Sequence, residues 1–354
     1  MALSSPFSRL SLLAVATLLV SACQSAAPAT SPAAPPTRAA AAATTAPAAA
    51  AANATAPVPT FAPTVAATKP ASLVPFKWLF GFRIQANPST AAIVIAKDQG
   101  YYAQEGLDLS WDISNDQTSI RLIAAGQYQA GSLGGPGTLI DMVNENLPVK
   151  SISIINQEGS RTFAVKSDSG IKRPKDLEGK TVGYKVSFWP EYLAMMAYDK
   201  VDRSKVKEIE VGFSSVELKD GTVDMLPVFK SNEPYTLKNT LGLDISYVDP
   251  KDFGYPTFGT ALIANTGYMK SNPDQMTGFL RATLRGLQFY MDNKQQALDI
   301  VQKYGPKEVS ADLNRFIYEV EAPQVTAGIG STLGIGEQTR DQWQREVDTL
   351  ADCR

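Results

Sequence analysis

From Phe76 onward the chain alternates short apolar runs with stretches whose apolar positions recur at helical spacing. Phe76–Phe82 reads as a first strand ending near a glycine, Gly81. Ser89 is placed to cap a helix through Tyr102, with Ala92, Ile95, Ala96 and Gln99 on repeating faces. Leu107–Ile113 alternates as a second strand. A helix over 116–125 follows, and then a short strand at Ala130–Leu133. Gly134-Gly135-Pro136-Gly137 turns the chain into another helix, and Val149–Asn156 is a fourth strand. The pattern then restarts. Strands are predicted at Thr162–Lys166, Thr181–Tyr184, Ile209–Phe213, Val223–Phe229, Ile245–Val248 and Thr257–Ala264. From Pro273 the chain reads as helical, with Met276, Phe279, Leu280, Thr283, Leu284 and Leu287 in one apolar stripe suited to core packing. Further helices are expected over 295–303, 311–321 and 340–351. Strands and helices alternating at this spacing predict an α/β fold of two lobes, each a mainly parallel sheet flanked by helices. The chain is expected to cross to the second lobe near Thr162 and back near Ala261, so that 74–161 and 262–354 form the first lobe and 162–261 the second.

The N-terminal fifth has another character. Arg9 precedes an apolar run, Leu10 to Val20, which ends in Val20-Ser21-Ala22-Cys23. A charged start, a short hydrophobic stretch and small residues before a cysteine form an export signal of the bacterial lipoprotein type, over 1–22. Cleavage before Cys23 lets that residue carry lipid, and two acyl chains suffice for stable anchoring, at about 0.8 kcal/mol per buried methylene. The run is too short to span ~30 Å of hydrocarbon. Residues 23–73 are nearly all Ala, Pro and Thr, with Arg38 and Lys69 as their charges. Such a stretch cannot bury enough apolar surface to offset ordering entropy, so it reads as a disordered tether. Its coil reach is about 40 Å. The protein is therefore expected on the extracytoplasmic face of a cell membrane, held by palmitate-type lipid.

Composition narrows the chemistry. Net charge is −2, and about −3 once Arg9 is removed, which suggests no nucleic-acid partner. The two cysteines are Cys23 and Cys353, so a lipidated Cys23 leaves no intramolecular disulfide. There is no histidine. That excludes Ser-His-Asp and Cys-His nucleophile systems, histidine-ligated metal and imidazole acid–base chemistry. Carboxylate pairs and a Ser-Lys pair remain formally open. No HExxH, P-loop or GxGxxG stands in a suitable setting.

Three runs carry a family resemblance. Ala96-Lys97-Asp98-Gln99-Gly100-Tyr101-Tyr102-Ala103-Gln104-Glu105-Gly106-Leu107 resembles the A-K-x-x-G-Y-F-x-x-E-G-L run of the solute-binding proteins of ABC importers for nitrate, sulfonates, taurine and thiamine pyrimidines. Ile171-Lys172-Arg173-Pro174-Lys175-Asp176-Leu177-Glu178-Gly179-Lys180-Thr181-Val182-Gly183 is similar to that family's I-K-x-P-x-D-L-x-G-K-x-V-G. Ala125-Gly126-Gln127-Tyr128-Gln129-Ala130-Gly131 is a third match. The matching glycines and Asp176-Leu177 serve turns and helix ends, not ligands. The resemblance implies two lobes, of the type II periplasmic-binding kind, hinged around a cleft. It implies a small-molecule ligand, a transmembrane permease and an ATP-binding subunit as partners, a monomer, no cofactor, no metal and no catalysis.

Open α/β sheets bind ligands beyond the carboxyl ends of their strands, which singles out four loops. They hold Phe82, Arg83, Gln85 and Asn87; Gly135 and Pro136; Lys185, Phe188, Trp189 and Tyr192; and Asn232, Glu233 and Tyr235. Phe82, Phe188, Trp189, Tyr192 and Tyr235 supply flat faces on which a heteroaromatic ring gains about 1–3 kcal/mol by stacking. Gln85, Asn87, Asn232 and Glu233 supply hydrogen-bonding edges. Arg83 and Lys185 suit either an anion clamp or the cleft rim, and Glu233 disfavours a phosphate or sulfonate. The tether and the aromatic loops look most like the riboflavin-binding branch of the family. That implies riboflavin as the ligand, with a thiamine pyrimidine precursor or another small heterocycle or sulfonate as the alternative. The fold also includes an enzyme that builds the thiamine pyrimidine from its own histidine, which this chain has none of to spend.

Overall fold

The computed structural model describes residues 72–185, 189–255 and 258–352, and for 141–144 and 352 the backbone alone. The signal, the tether up to residue 71 with Cys23 in it, Phe188 and Cys353 lie outside the described residues. Two five-stranded sheets organise the rest. The first contains β1 (Val74–Phe80), β2 (Leu107–Ile113), β3 (Ala130–Leu133), β4 (Val149–Ile154) and β10 (Ala261–Asn265), in the order β2-β1-β3-β10-β4. The second contains β5 (Arg161–Lys166), β6 (Thr181–Tyr184), β7 (Lys207–Glu210), β8 (Met225–Phe229) and β9 (Ile245–Val248), in the order β7-β6-β8-β5-β9.

The two sheets share one plan, and it differs from the mainly parallel expectation. β1 pairs parallel with β2 and β3, and β6 with β7 and β8. The fourth strand in each order runs the other way: β10 is antiparallel to β3 and β4, and β5 to β8 and β9. These two are the strands by which the chain arrives from the opposite lobe. A strand entering across the cleft necessarily points away from it, whereas strands returning over a local helix point toward it. The sheets are mixed for that reason.

Helices cover the sheets. In the first lobe the twenty-residue helix Pro273–Asp292 lays Phe279 flat on Phe76, with ring centroids 4.5 Å apart and planes 8° apart. Trp78 and Tyr102 stack on the same ring at 5.4 and 5.6 Å. The predicted stripe is core: Met276, Phe279, Thr283 and Leu287 are buried, and the Thr283 and Tyr102 hydroxyls lie 2.8 Å apart. This helix crosses Pro88–Asp98 closely, for a Cβ on Gly286 would sit 2.2 Å from the Ala92 carbonyl oxygen. Only glycine permits that approach.

In the second lobe, alternation sorts side chains to two faces. Phe163, Val165, Val182 and Met225 join Tyr192 and Met195 on one face, while Ala164, Leu226 and Val228 join Leu218 and Leu237 on the other. β7 ends at Glu210, not at Phe213 as its pattern suggests. It is an edge strand paired to β6 alone, and past that pairing Gly212 and Phe213 enter a loop, with Phe213 73% exposed. β10 begins at Ala261; of the residues predicted to precede it in the strand, Thr257 lies outside the described residues and Phe258, Gly259 and Thr260 are not strand.

Candidate functional site

The carboxyl ends of β1, β3, β6 and β8 meet between the lobes, and the loops that leave them build the site. At its centre is Arg161, the first residue of β5 and 7% exposed. Its Nη1 lies 3.4 Å from Glu191 Oε1, and its Nη2 lies 3.5 Å from Asp116 Oδ2. Asp116 belongs to the first lobe, in the helix Asp116–Ala124 after β2. Glu191 belongs to the second, in the first turn of Pro190–Tyr198. The guanidinium carbon is 4.9 Å from the Trp189 ring and 5.7 Å from the Phe229 ring, two aromatics that meet edge to face at 5.5 Å. One buried cation is thus held by two carboxylates and two π faces, the compensation that a desolvated charge requires.

Backbone geometry lets the lobes close over this centre. The Gly134 amide donates to Asp116 Oδ2 at 3.1 Å. A Cβ on Gly135 would lie 3.0 Å from Arg161 Nη1, and one on Gly137 would lie 2.6 Å from Pro190. Side chains at either position would wedge the lobes apart. Burial raises the Asp116 carboxyl above its ordinary range, against the pull of Arg161 and the Gly134 amide. Arg161 Nε and Glu191 Oε2 are buried without a hydrogen-bond partner.

A second bridge lies at the rim. Arg83 donates from Nε to Gln85 Oε1 at 3.2 Å and from Nη2 across the cleft to Asn232 Oδ1 at 3.4 Å. Its guanidinium also lies 5.2 Å from the ring of Phe82, which is 46% exposed. Lys185 pairs with Glu233 at 2.6 Å, both buried, and Glu233 Oε2 accepts from the Phe229 amide at 2.9 Å. The anion-clamp reading of Lys185 and the repulsion expected from Glu233 therefore cancel within one pair. Lys185 Nζ lies 5.8 Å from the exposed Phe213 ring.

Near the crossovers a third network joins the lobes. Ser231 of the second lobe hydrogen-bonds Glu321 on the helix Ala311–Val325. Asn156 Nδ2 donates to Glu321 Oε2 at 3.3 Å and to Gln324 Oε1 at 3.1 Å, and Ser160 reaches Gln324 at 3.0 Å. Burial pushes the Glu321 carboxyl up to about 6, with Ser231, Asn156 and Ser160 pulling against it. A cavity of about 320 Å³ lies beside these crossovers, bordered by Gln157, Tyr255, Phe258, Gln342 and Glu346, with Arg161 on its wall. None of the described residues predicted from the sequence borders it.

The structure thus draws Phe82, Arg83, Gln85 and Asn232 into one contact chain, and sets Lys185, Glu233 and Trp189 beside it in the second lobe. Gly135 covers Arg161, and Pro136 opens the helix Pro136–Asn144. Asn87 precedes Pro88–Asp98 and donates to Ser89 Oγ at 3.4 Å, its Oδ1 buried without a partner. Tyr235 leans on Phe316 at 5.5 Å, an aromatic contact between the lobes. Tyr192 goes elsewhere. It is 1% exposed in the second-lobe core, and its hydroxyl donates to Glu208 Oε1 at 2.7 Å. Helix begins at Pro190, so two residues on the chain has already turned Tyr192 onto the sheet. Asp116, Arg161, Glu191, Phe229 and Glu321 were not singled out by sequence. The available signal was a charge standing directly before an apolar strand, as Arg161 does before Thr162-Phe163-Ala164-Val165.

A family model described as "NMT1/THI5 like" matches residues 87–297, which is more than half of the chain and takes in both lobes. The chain belongs to the NMT1/THI5-like family. A formylaminopyrimidine-binding protein of Halalkalibacterium halodurans is 27% identical over 59% of this chain and 64% of its own length, so the match spans just under two thirds of that relative. Riboflavin-binding protein RibY of Chloroflexus aurantiacus is 24% identical over 94% of this chain and 89% of its own. Among solved structures, the periplasmic aliphatic sulphonate binding protein SsuA of Escherichia coli superposes with a TM-score of 0.62 at 14% identity, covering 78% of this chain and 85% of that one. At that identity the likeness establishes the fold, a periplasmic-binding-protein fold of two lobes. No helix among the described residues of this NMT1/THI5-like chain is long and apolar enough to cross a membrane.

Proposed function

We propose that this chain is the extracytoplasmic solute-binding component of an ABC importer, that it closes on riboflavin, and that it delivers the vitamin to a membrane permease served by an ATP-binding subunit. The observation that carries this reading is the pair of bridges between lobes, Arg161–Asp116 and Arg83–Asn232, set among Trp189, Phe229 and Phe82. These contacts part and reform as a ligand enters, and a flat ring finds aromatic faces and polar edges on both sides. A ligand drives closure only through its differential affinity for the closed form, which contacts from both lobes supply. A relative matching along nearly the whole chain carries riboflavin in its name. The absence of histidine argues for binding rather than turnover. In this reading residues 1–22 are removed, lipid on Cys23 and the tether over 23–73 hold the body at the membrane, and two lobes, 74–161 with 262–354 and 162–261, form the jaws, with the boundary residue Arg161 belonging to the second sheet as the first residue of β5.

A thiamine pyrimidine precursor is the second reading, favoured by the formylaminopyrimidine-binding relative and by two carboxylates at the cleft centre. Titrating the full chain, produced in the cytoplasm where no lipid is added, with riboflavin and with 4-amino-5-hydroxymethyl-2-methylpyrimidine separates the two. Tryptophan fluorescence is the readout, Trp189 being the tryptophan beside Arg161 at the cleft. Micromolar or tighter binding, at least ~8 kcal/mol, is expected for riboflavin. Saturation by neither compound sinks both readings.

A further inference from the structure

We infer that Arg161 and Glu191 together read the ligand, as a donor and an acceptor facing a heterocycle edge on which an N–H stands beside a hydrogen-bond acceptor. This rests on the reading of the cleft as a binding site for a flat heterocycle, and it names what that site recognises. Arg161 gives one N–H of Nη1 to Glu191 and one of Nη2 to Asp116, while Nε, which carries a single N–H, has no partner. Glu191 spends Oε1 on Arg161 and leaves Oε2 unspent. Both residues are more than nine-tenths buried, where an unpaired donor or acceptor is costly and uncommon. The orphans are therefore one N–H and one carboxylate oxygen, carried by side chains already paired with each other.

The surroundings suit a ring. Trp189 and Phe229 stand against the guanidinium, and all four residues belong to the second lobe, so they stay together when the first lobe withdraws. The first lobe contributes the opposite wall, the bare backbone of Gly134 and Gly135. A Cβ on Gly135 would crowd Arg161 Nη1 at 3.0 Å, and one on Gly134 would touch Arg161 Nη2 and Phe229 at 3.6 Å, so the two walls are in contact while the lobes are shut. Opening frees that space for something thin. A lactam edge, with N–H beside C=O, returns a donor to Glu191 Oε2 and an acceptor to Arg161 Nε. An amidine edge, with N–H₂ beside a ring nitrogen, does the same. The dione ring of a flavin carries the first edge and an aminopyrimidine carries the second. A sulfonate or nitrate carries neither, since it has no N–H to give and would face Glu191.

The test alters the ligand and leaves the protein intact. Riboflavin is compared with its N3-methyl derivative, and 4-amino-5-hydroxymethyl-2-methylpyrimidine with its N,N-dimethylamino counterpart, by calorimetric titration of the full chain. Alkylation is expected to weaken the compound that binds by roughly 100-fold, because a buried acceptor is left unpaired. Whichever pair shows the loss identifies the source of the edge. Binding within threefold of the parent after alkylation overturns the inference and leaves the riboflavin proposal standing. Failure of both parents to bind removes the proposed function, and the inference with it. Arg161→Lys and Glu191→Gln provide the protein-side arm. Each is expected to lose at least tenfold in affinity for the parent while its discrimination against the alkylated compound collapses, a readout that a loosened fold would not move. Variants that keep wild-type discrimination also overturn it.

Discussion

The two lobes are built on one strand order and put it to opposite uses. In the first, the sheet is sealed by aromatic stacking: Phe76, Trp78 and Tyr102 surround Phe279, deep among aliphatic neighbours. In the second, apolar residues split between two smaller clusters, and the strand ends nearest the cleft hold buried charges, Arg161, Lys185, Glu191 and Glu233. Such charges contribute little net stability, since the desolvation they suffer roughly offsets their attraction. Their presence marks the second lobe as the half specialised for recognition, and the first as the half specialised for holding shape. The comparison says where a substitution harms folding and where it harms binding.

Phe279→Ala should have the largest effect. It removes the ring on which three aromatics pack, at a cost of about 3–5 kcal/mol. Urea unfolding should show the midpoint fall with the slope nearly unchanged. A loss under 1 kcal/mol would contradict the assignment of structural weight to the first lobe. Arg161→Ala comes next. It leaves Asp116 and Glu191 buried and without their cation, which costs about 3 kcal/mol near neutral pH. Acid should then partly rescue the variant by protonating the stranded carboxyls, so its stability relative to wild type rises as pH falls. Wild-type-like pH dependence in this variant would show that the two carboxylates do not depend on Arg161.

Much of the architecture was readable from residue pattern. Leu107–Ile113, Ala130–Leu133, Thr181–Tyr184 and Ile245–Val248 form strands with the expected bounds, and the stripe from Met276 to Leu287 is core. Strand direction was not readable. A two-residue period is the same for a strand that enters a sheet from either end, and only the path between lobes shows that β5 and β10 run backward. The site was legible by loop but not by residue. Trp189 and Tyr192 are close in sequence and both aromatic, yet the helix starting at Pro190 leaves one beside Arg161 and turns the other into the core. Arg161 itself was hidden because its partners, Asp116 and Glu191, lie 45 and 30 residues away.

Glu321 gives a smaller and more diagnostic effect. Its carboxyl sits at about 6 in the folded chain against an ordinary 4.5. Between those pH values the folded state binds more proton than the unfolded, so this group's contribution to stability is fully present below about 4.5 and declines as pH rises through about 6. The decline amounts to about 2 kcal/mol. Asp199, held low by its bond to Arg173, works with the opposite sign at lower pH. The difference between wild type and variant therefore isolates Glu321. Glu321→Gln should remove this decline, so that the variant gains on wild type as pH rises across that window and is the more stable at pH 7, measured by thermal unfolding in a pH series. Parallel curves for the two proteins would place the titration elsewhere.

The smallest effect on folding should come at the rim, where it most clearly separates recognition from structure. Arg83 is partly exposed, and its bonds to Gln85 and Asn232 are long, so Arg83→Ala should shift stability by no more than about 0.5 kcal/mol. Its bond to Asn232 nevertheless spans the cleft and exists only when the lobes are together. Losing it biases the free protein toward the open form, and a ligand that needs the closed form binds more weakly by the fraction of closed protein lost. Affinity for riboflavin should fall about fivefold to tenfold, with the melting temperature of the free chain unchanged. Asn232→Ala should produce the same loss, and the double variant no more than either alone, because one bond cannot be broken twice. Additive losses would mean that Arg83 and Asn232 each contact the ligand instead of each other, moving the rim from the closing device to the binding surface.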